Sequence, residues 1–437
     1  MKYNKIKKEF FSFFKKKNHK IYKSYPIINK DNSKLFFINS GINQFKKFFL
    51  GKKKIKYTKI ANIQKCIRIT GKHNDLKSVG KDNYHHTLFE MLGNWSIGNY
   101  DIKKAIKYAW ILLTKIYKIC KKRIYVTIFK GNKNYKLKKD IETYKYWKKF
   151  VNKKHILFFG LKENFWKIDN FKLCGPCTEI HVDIRNNKSK NINNKKGYKL
   201  INKNNKYVIE LWNIVNIKYL IKNNKIYKNN NLLSNNFIDT GMGIERLSMI
   251  LQKKQSTYDT DIFKKIIKRI EEILNIKYKI NKNHDFLIKL LSDHIRSIFI
   301  IFYNNIAPNN KKYGYILRKL IRRCLIFVYK ILNINTPFLF KLIKIVYKNF
   351  YKKIILKKLI IIENKLKKEE IFFYKNIKDN IKLMDSYLKQ EKNILKNKYI
   401  KKKTILYIYS TYGIPFFIIK NYAHKHNLKI ENIKNFI

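Results

Sequence analysis

Two stretches of the chain combine residue types that could handle phosphate. The first is Arg68-Ile69-Thr70-Gly71-Lys72-His73-Asn74-Asp75-Leu76, followed by Tyr84-His85-His86-Thr87-Leu88-Phe89-Glu90-Met91-Leu92-Gly93-Asn94-Trp95. Its simplest reading is strand, polar loop, strand, a hairpin that would present an Arg, a Lys and three His to one pocket. That set suits a triphosphate. The adjacent His85 and His86 read as core residues before metal ligands. The second stretch is Asp239-Thr240-Gly241-Met242-Gly243-Ile244-Glu245-Arg246-Leu247. It predicts a strand ending at Asp239, a glycine pair opening a helix, and Arg246 one turn in. Free N–H groups at a helix start attract anions, and Arg246 can add a bidentate fork to a phosphate. A third group, Cys174-Gly175-Pro176-Cys177 with His181, offers three possible zinc ligands. A complete site wants a fourth and none is obvious nearby, so a buried loop is the expectation and zinc is not.

These stretches stand out against a uniform background. The 437 residues include 99 Lys+Arg against 28 Asp+Glu, a formal charge of +71. Nine of the bases are Arg and the other 90 are Lys, a ratio that, with abundant Ile and Asn, looks like the product of A+T-rich coding. The charge fits a polyanionic partner without proving one. Where Lys takes about one position in five, its absence from 82–102 and 229–252, and from the shorter 173–187, is a signal. Glycine agrees: ordinary usage of about 7% would give roughly 30, yet there are 14. Gly71, Gly80, Gly93, Gly98, Gly175, Gly241 and Gly243 fall in or near these windows, where the backbone is expected to need positive φ or to approach a ligand. The plainer alternative is that the windows are buried strands that exclude Lys anyway.

The elements that must position these residues divide the chain in two. Residues 1 to about 252 mix short β-rich runs (34–38, 123–129, 207–215) with helices such as the amphipathic 102–113. Asn-rich stretches at 186–205 and 222–236 read as surface loops. From 253 to 437 apolar residues recur at helical spacing through 261–275, 285–303, 315–333 and 338–396. With 45% hydrophobic residues the chain can bury a core, which excludes wholesale disorder. Five cysteines, an odd number, fit a reducing compartment better than a disulfide scaffold. Charges interrupt every apolar stretch of the first 20 residues, and no charge-free apolar run approaches the roughly 18–20 residues of a membrane span. A soluble, cytoplasmic protein is expected.

The two phosphate-handling stretches resemble the second and third signature motifs of the class II aminoacyl-tRNA synthetases, and their wording resembles the alanyl branch of that family. Further segments match in family order: LFFINSGINQFKKFFLG at 35–51, GKHNDLKSVG at 71–80, ENFW at 163–166, CGPCTEI at 174–180, ELWNIV at 210–215, SDHIRS at 292–297, GYILRKLIRR at 314–323 and STYGIP at 410–415. The resemblance implies an α+β fold, an antiparallel sheet of six or seven strands with flanking helices over 1–252, then an all-α tRNA-recognition domain over 253–437. It implies that alanine and ATP form alanyl-adenylate, from which alanine passes to the 3′ end of tRNA(Ala). Carried over by motif, Arg68 grips the α-phosphate and the attacking carboxylate, and Arg246 holds the γ-phosphate of a bent ATP. His86, Trp166, Leu211, Trp212, Asn213 and Gly243 line the nucleotide. Asn213 and Asp239 hold alanine, Asp239 pairing with its ammonium group, while Met91 and Val215 narrow the side-chain pocket. Mg²⁺ accompanies ATP. For tRNA the implied contacts are Arg296, Asn310, Arg318, Arg322 and Ser410.

Two departures from the family accompany this. Neither pattern of the family's editing zinc site occurs, so no hydrolysis of mischarged tRNA in cis is expected, and a monomer is the modest expectation. Where the family reads an acceptor-stem G·U pair with an Asn and an Asp, Asn310 matches the first but Ser410 replaces the second. A catalytically inactive tRNA- or RNA-binding paralogue is the alternative function, and the intact Arg68, Asp239 and Arg246 argue against it. A generic basic RNA-binding protein would explain the charge but not the Lys-free windows.

Overall fold

Alternating side chains and long runs of β-branched and aromatic residues make the first half of the chain a sheet. The structure, a computed structural model, describes all residues except 29–35, 52–55, 71–73, 169–172, 186–196, 204, 223–224, 229–236, 352–354, 392–397 and 432–437. It divides into two compact units, Met1–Ile267 and Lys268–Ile437. Residues 253–267 thus group with the first unit.

In the first unit the strands are β1 (Lys20–Ile21), β2 (Lys59–Ile67), β3 (Leu88–Ile97), β4 (Ile124–Phe129), β5 (Ile156–Phe159), β6 (Phe165–Ile168), β7 (Leu173–Asp183), β8 (Val208–Ile217), β9 (Tyr219–Lys222), β10 (Lys225–Lys228) and β11 (Phe237–Gly243). The main order is β1-β2-β3-β11-β8-β7-β4-β5, with β6, β9 and β10 set on β7 as a side branch. The six central strands, β2 to β4 in that order, pair antiparallel. Both ends of the path are parallel, β1 on β2 and β4 on β5, so the sheet is mixed and larger than the six or seven strands expected. The fold is α+β with an antiparallel core. Residues 34–35 of the expected strand 34–38 lie outside the described residues, and at 36–38 Phe37 forms an isolated bridge to Ile28 rather than part of a strand.

One face of the sheet is closed by helices. Ile63, Leu92, Ile180, Trp212, Ile214, Ile238 and Met242 point to that side and join Ile6, Phe10 and Phe14 of the helix Tyr3–Lys16 and Ile106 and Ala109 of Ile102–Ile111 in one core. Side chains alternate between faces, so the neighbours of these residues must face the other way. That second face carries the site. Glu90, on the helix side, accepts from Lys7 Nζ at 2.7 Å and from the Tyr3 hydroxyl, and anchors the first helix.

The second unit is helical. Lys282–Tyr303 is buried over most of its length, and Lys312–Leu332 and the 35-residue helix Leu356–Gln390 follow. Glu370, fully buried, caps a short 3₁₀ turn by accepting from the backbone N–H groups of Phe338, Leu339 and Phe340 at 2.7, 2.9 and 2.9 Å. A two-stranded parallel pair, Tyr399–Ile400 with Lys429–Ile430, interrupts the all-α pattern expected there. Among the described residues no helix is long and apolar enough to cross a membrane.

Candidate active site

Register explains which side chains share the open face. On β11, Asp239 lies opposite Val215 and Gly241 opposite Asn213 of β8. Across β3, Gly243 pairs with Met91. On β7, Cys177 pairs with Val215 and Glu179 with Asn213. Simple alternation would send Glu210 to the helix side, since it lies three residues from Asn213. The β7–β8 register slips at Ile180/His181, where Trp212 pairs with Ile180 but Glu210 with His181. Leu211 is therefore the extra residue of a bulge, and the bulge re-aims Glu210.

The pocket on this face is lined by Arg68, His86, Met91, Trp166, Leu211, Asn213, Val215, Asp239, Gly243 and Arg246, together with Ser40, Asp75, Tyr84, His85, Phe89, Lys162, Glu163, Glu179, Glu210, Gly241 and Glu245. Ten of the sequence-predicted residues thus meet in one place. Trp212 is the exception and corrects the expectation: its side chain packs in the helix-side core with Ile180 and Ile214, because it is the immediate neighbour of Asn213 and alternation gives it the opposite face. Lys72 and His73, expected in the same pocket, lie outside the described residues.

The two arginines are held by backbone oxygens and laid over rings. Arg68 Nε donates to the Asn39 carbonyl at 3.2 Å, and its guanidinium lies 4.9 Å from the Phe89 ring centroid. Arg246 Nη1 donates to the Glu210 carbonyl at 2.8 Å and lies 3.4 Å from the Glu210 carboxylate. Its guanidinium sits 5.1 Å from the Tyr84 ring. Strand β11 runs through both glycines to Gly243, and the helix Ile244–Leu251 begins at once. Arg246 is therefore its third residue rather than one turn in. A Cβ at Gly243 would meet nothing nearer than Arg246 Cγ at 3.9 Å, so the protein does not require glycine there, and the open space belongs to the pocket. At Gly241 a Cβ would lie 2.8 Å from the Met91 sulfur. Glycine there lets Met91 cross the strand.

At the other end lies a buried acid. Asp239 is 6% exposed, and its Oδ1 accepts from the Trp95 indole N–H at 2.6 Å. Burial pushes its carboxyl up to about 7, against the Trp95 hydrogen bond, which lowers it. Asn213 Oδ1 is a buried acceptor with no hydrogen-bond partner among the described residues. Asp239 and Asn213 are diagonal neighbours across β11 and β8, within reach of one small donor. A carboxylate and an orphaned amide oxygen in one buried corner suit an ammonium group. Trp166 packs on the cluster that holds Trp95, Cys177 and Val215, which places its ring at this end.

A carboxylate pair, Glu179 and Glu210, also lines the pocket. Glu179 accepts from Thr127 Oγ1 at 3.2 Å and pairs with His181 Nε2 at 3.1 Å. Burial, and the charge of Glu210 beside it, push the Glu179 carboxyl up. Glu210 moves the other way: burial raises it, but Arg246, His181 and Arg68 outweigh this and hold it down. Sequence reasoning missed this pair. Acids are scarce in the chain, and two of them in the Lys-free CGPCTEI and ELWNIV segments were the available signal. Cys174 and Cys177, three residues apart on β7, fall in different clusters, Cys174 with Phe129 and Phe165 and Cys177 with Val215 and Trp95. The expected buried loop is a strand, and its geometry separates the two thiols. Burial pushes Cys174 up to about 12 and Cys177 well above its usual value.

His86 is fixed from beyond residue 252. Its Nε2 is 2.8 Å from Thr257 Oγ1, and its ring stacks on Phe263 with centroids 4.9 Å apart. In the second unit, Arg318 ties Asn310 to Glu369, with Nη1 to Asn310 Oδ1 at 2.5 Å and Nε to Glu369 at 2.7 Å. Burial lowers Arg322, with Arg318 adding to the effect. Ser410 is exposed and bonds back to the Tyr407 carbonyl. Arg296 corrects the expectation for tRNA contacts: it is 2% exposed and lies over the Phe350 ring. A side chain buried in a helix core cannot reach RNA.

Comparison with known proteins identifies the family. The family model for class II tRNA synthetases (A) matches residues 5–437. The chain is similar to the alanine–tRNA ligase of Cytophaga hutchinsonii, 39% identical over 98% of this chain and 48% of that protein. Those of Christiangramia forsetii and Parabacteroides distasonis are each 38% identical, over 95% and 94% of this chain and 47% and 46% of theirs. The chain spans about half the length of these relatives.

Proposed function

The chain belongs to the class II tRNA synthetase family, and from that premise we propose that it is an alanine–tRNA ligase. It would join alanine to the α-phosphate of ATP, release pyrophosphate, and pass alanine from the adenylate to the 3′ end of tRNA(Ala). One observation carries this reading. A single pocket is lined by a buried acid, an orphaned acceptor beside it, and two ring-supported arginines. In the proposed complex Asp239 and Asn213 take the ammonium group, and Met91 and Val215 bound a space for a methyl, joined by Trp166, which the resemblance assigns to the nucleotide but which packs on the same cluster as Val215. Arg68 offsets the charge where the carboxylate meets the α-phosphate, and Arg246 holds the γ-phosphate. His86, Leu211 and Gly243 border the nucleotide. No protein nucleophile is needed, since positioning and electrostatics supply the catalysis.

ATP brings Mg²⁺, and the residues present fit it. Mg²⁺ takes one or two carboxylates and otherwise phosphate oxygens and water, and Glu179 and Glu210 offer such a pair. When bound it would neutralise charge on the phosphates. We assign catalysis to the first unit and tRNA recognition to the second, through Asn310, Arg318, Arg322 and Ser410, acting in the cytoplasm as a monomer.

The test is alanine-dependent ATP–pyrophosphate exchange followed by transfer of labelled alanine to tRNA(Ala). No exchange with alanine would end the proposal. Two quantitative expectations go with it. Only the ionised Asp239 can pair with an ammonium group, so kcat/KM for alanine should hold a plateau above about pH 7 and fall about tenfold per unit below it. The KM for ATP should not share this profile. A flat alanine profile between pH 6 and 8 would remove Asp239 from the role. Arg246→Lys should raise the KM for ATP roughly 10- to 100-fold, because an ammonium cannot bond the Glu210 carbonyl and fork a phosphate at once. An unchanged value would contradict the γ-phosphate assignment.

A further inference from the structure

Trp95 lies on β3, fully buried in the cluster with Phe45, Ile60, Cys177 and Val215. An indole in such apolar surroundings needs a partner for its N–H, and it finds one carboxylate oxygen, Asp239 Oδ1, at 2.6 Å. The two residues are 144 positions apart in sequence. The surroundings are shaped for the ring. A Cβ at Gly93 would lie 2.2 Å from Trp95 Cη2, and one at Gly41 2.6 Å from Cζ2. Phe45 closes the remaining side at 4.7 Å between ring centroids. The indole therefore has little room to move, and neither has the oxygen it holds.

We propose that Trp95 is a positioning residue for amino-acid recognition: by holding Asp239 Oδ1 it turns the other carboxylate oxygen towards the pocket, where the substrate ammonium binds. This rests on the reading of Asp239 as the ammonium acceptor. The same hydrogen bond favours the charged form of a carboxyl that burial otherwise keeps protonated. The titratable and charged groups around Asp239 include Cys177 and Glu179 on β7, Glu210 on β8, Glu90 on β3, Arg68 beyond β2, Glu245 and Arg246 on the following helix, and Asp75, Tyr84, His85, His86, Lys162 and Glu163 in the pocket lining. None of them contributes to the displacement of Asp239, whose two causes are burial and Trp95. Trp95 thus acts on both the direction and the charge of the acid without touching the substrate.

The experiment measures alanine-dependent ATP–pyrophosphate exchange from pH 6 to 9 in the full 437-residue chain and in Trp95→Phe. A second variant carries 3-benzothienylalanine at position 95, which keeps the indole's shape but has sulfur in place of the N–H, so a packing fault in the phenylalanine variant cannot hide the answer. Both variants should lower kcat/KM for alanine roughly tenfold or more at pH 7, leave the KM for ATP unchanged, and move the midpoint of the alanine profile up by about one unit or more. In an Asp239→Asn background the same substitutions should add no further loss and should relieve part of the defect, because the freed amide can turn its oxygen to the site. A midpoint that stays at its native value overturns the proposal even if alanine binds more weakly, because packing alone would then explain the loss. Absence of alanine-dependent exchange in the native chain overturns instead the reading beneath it.

Discussion

Replacing Asp239 by Asn is expected to raise the KM for alanine by about 30-fold to several thousand-fold, the range for breaking a buried charge pair worth about 2–5 kcal/mol. The change is nearly isosteric, so Val215 and Gly241 beside it should not shift. Its severity comes from the hydrogen bond that remains. The Trp95 N–H can donate only to the amide oxygen, and that fixes the amide so that its NH₂ faces the site. Two donors, the amide and the substrate ammonium, then oppose each other where an acceptor stood. ATP should bind as before, because the arginines and the ring surfaces under them are unchanged. The drop of kcat/KM for alanine below pH 7 should also disappear, since the titrating group is gone. An alanine KM within twofold of the native value would show that the ammonium pairs elsewhere.

Removal of Arg68 should act on rate rather than affinity. An electrostatic donor aimed at charge that develops in the transition state is worth about 10²–10³ in turnover when deleted. Arg68→Ala is therefore expected to lower the maximal exchange rate by about that factor. The fold should survive. The guanidinium's hydrogen bond runs to a loop carbonyl, Asn39, and it lies over the face of Phe89, with Glu210 near enough to feel its charge. Thermal unfolding and the exchange rate measured side by side separate the two effects. A native exchange rate, or a large fall in melting temperature that accounts for lost activity, would each take Arg68 out of the chemistry.

The residues that carry the proposed chemistry were legible because buried, ligand-facing strands resist the compositional drift that shaped the rest. The Lys-free windows 82–102 and 229–252 contain β3 and β11, where an ammonium group would be buried on either face. Their glycines were legible for the same reason, although the cause was close approach more often than positive φ. Gly93, Gly175 and Gly241 are crowded by Trp95, the Asn216 backbone and Met91, whereas Gly80 and Gly98 do take positive φ. Helical spacing likewise announced the second half of the chain, because a helix writes its buried face into residues three and four apart.

What lay beyond the sequence depends on register and on distant partners. One bulge between β7 and β8 decides that Glu210 faces the pocket rather than the helix core to which alternation would send it. A strand's two faces differ by a single residue, so a local slip reverses an assignment that the motif's spelling leaves open. Arg296 and Arg318 look alike in sequence, yet one is sealed in the helix core and the other ties Asn310 to Glu369. His86 is set by Thr257 and Phe263, some 170 residues away. The motifs determined which side chains would be needed. Only the packing of strands and helices far apart in the chain decided which way each would point, how dry its surroundings would be, and so what charge it could carry.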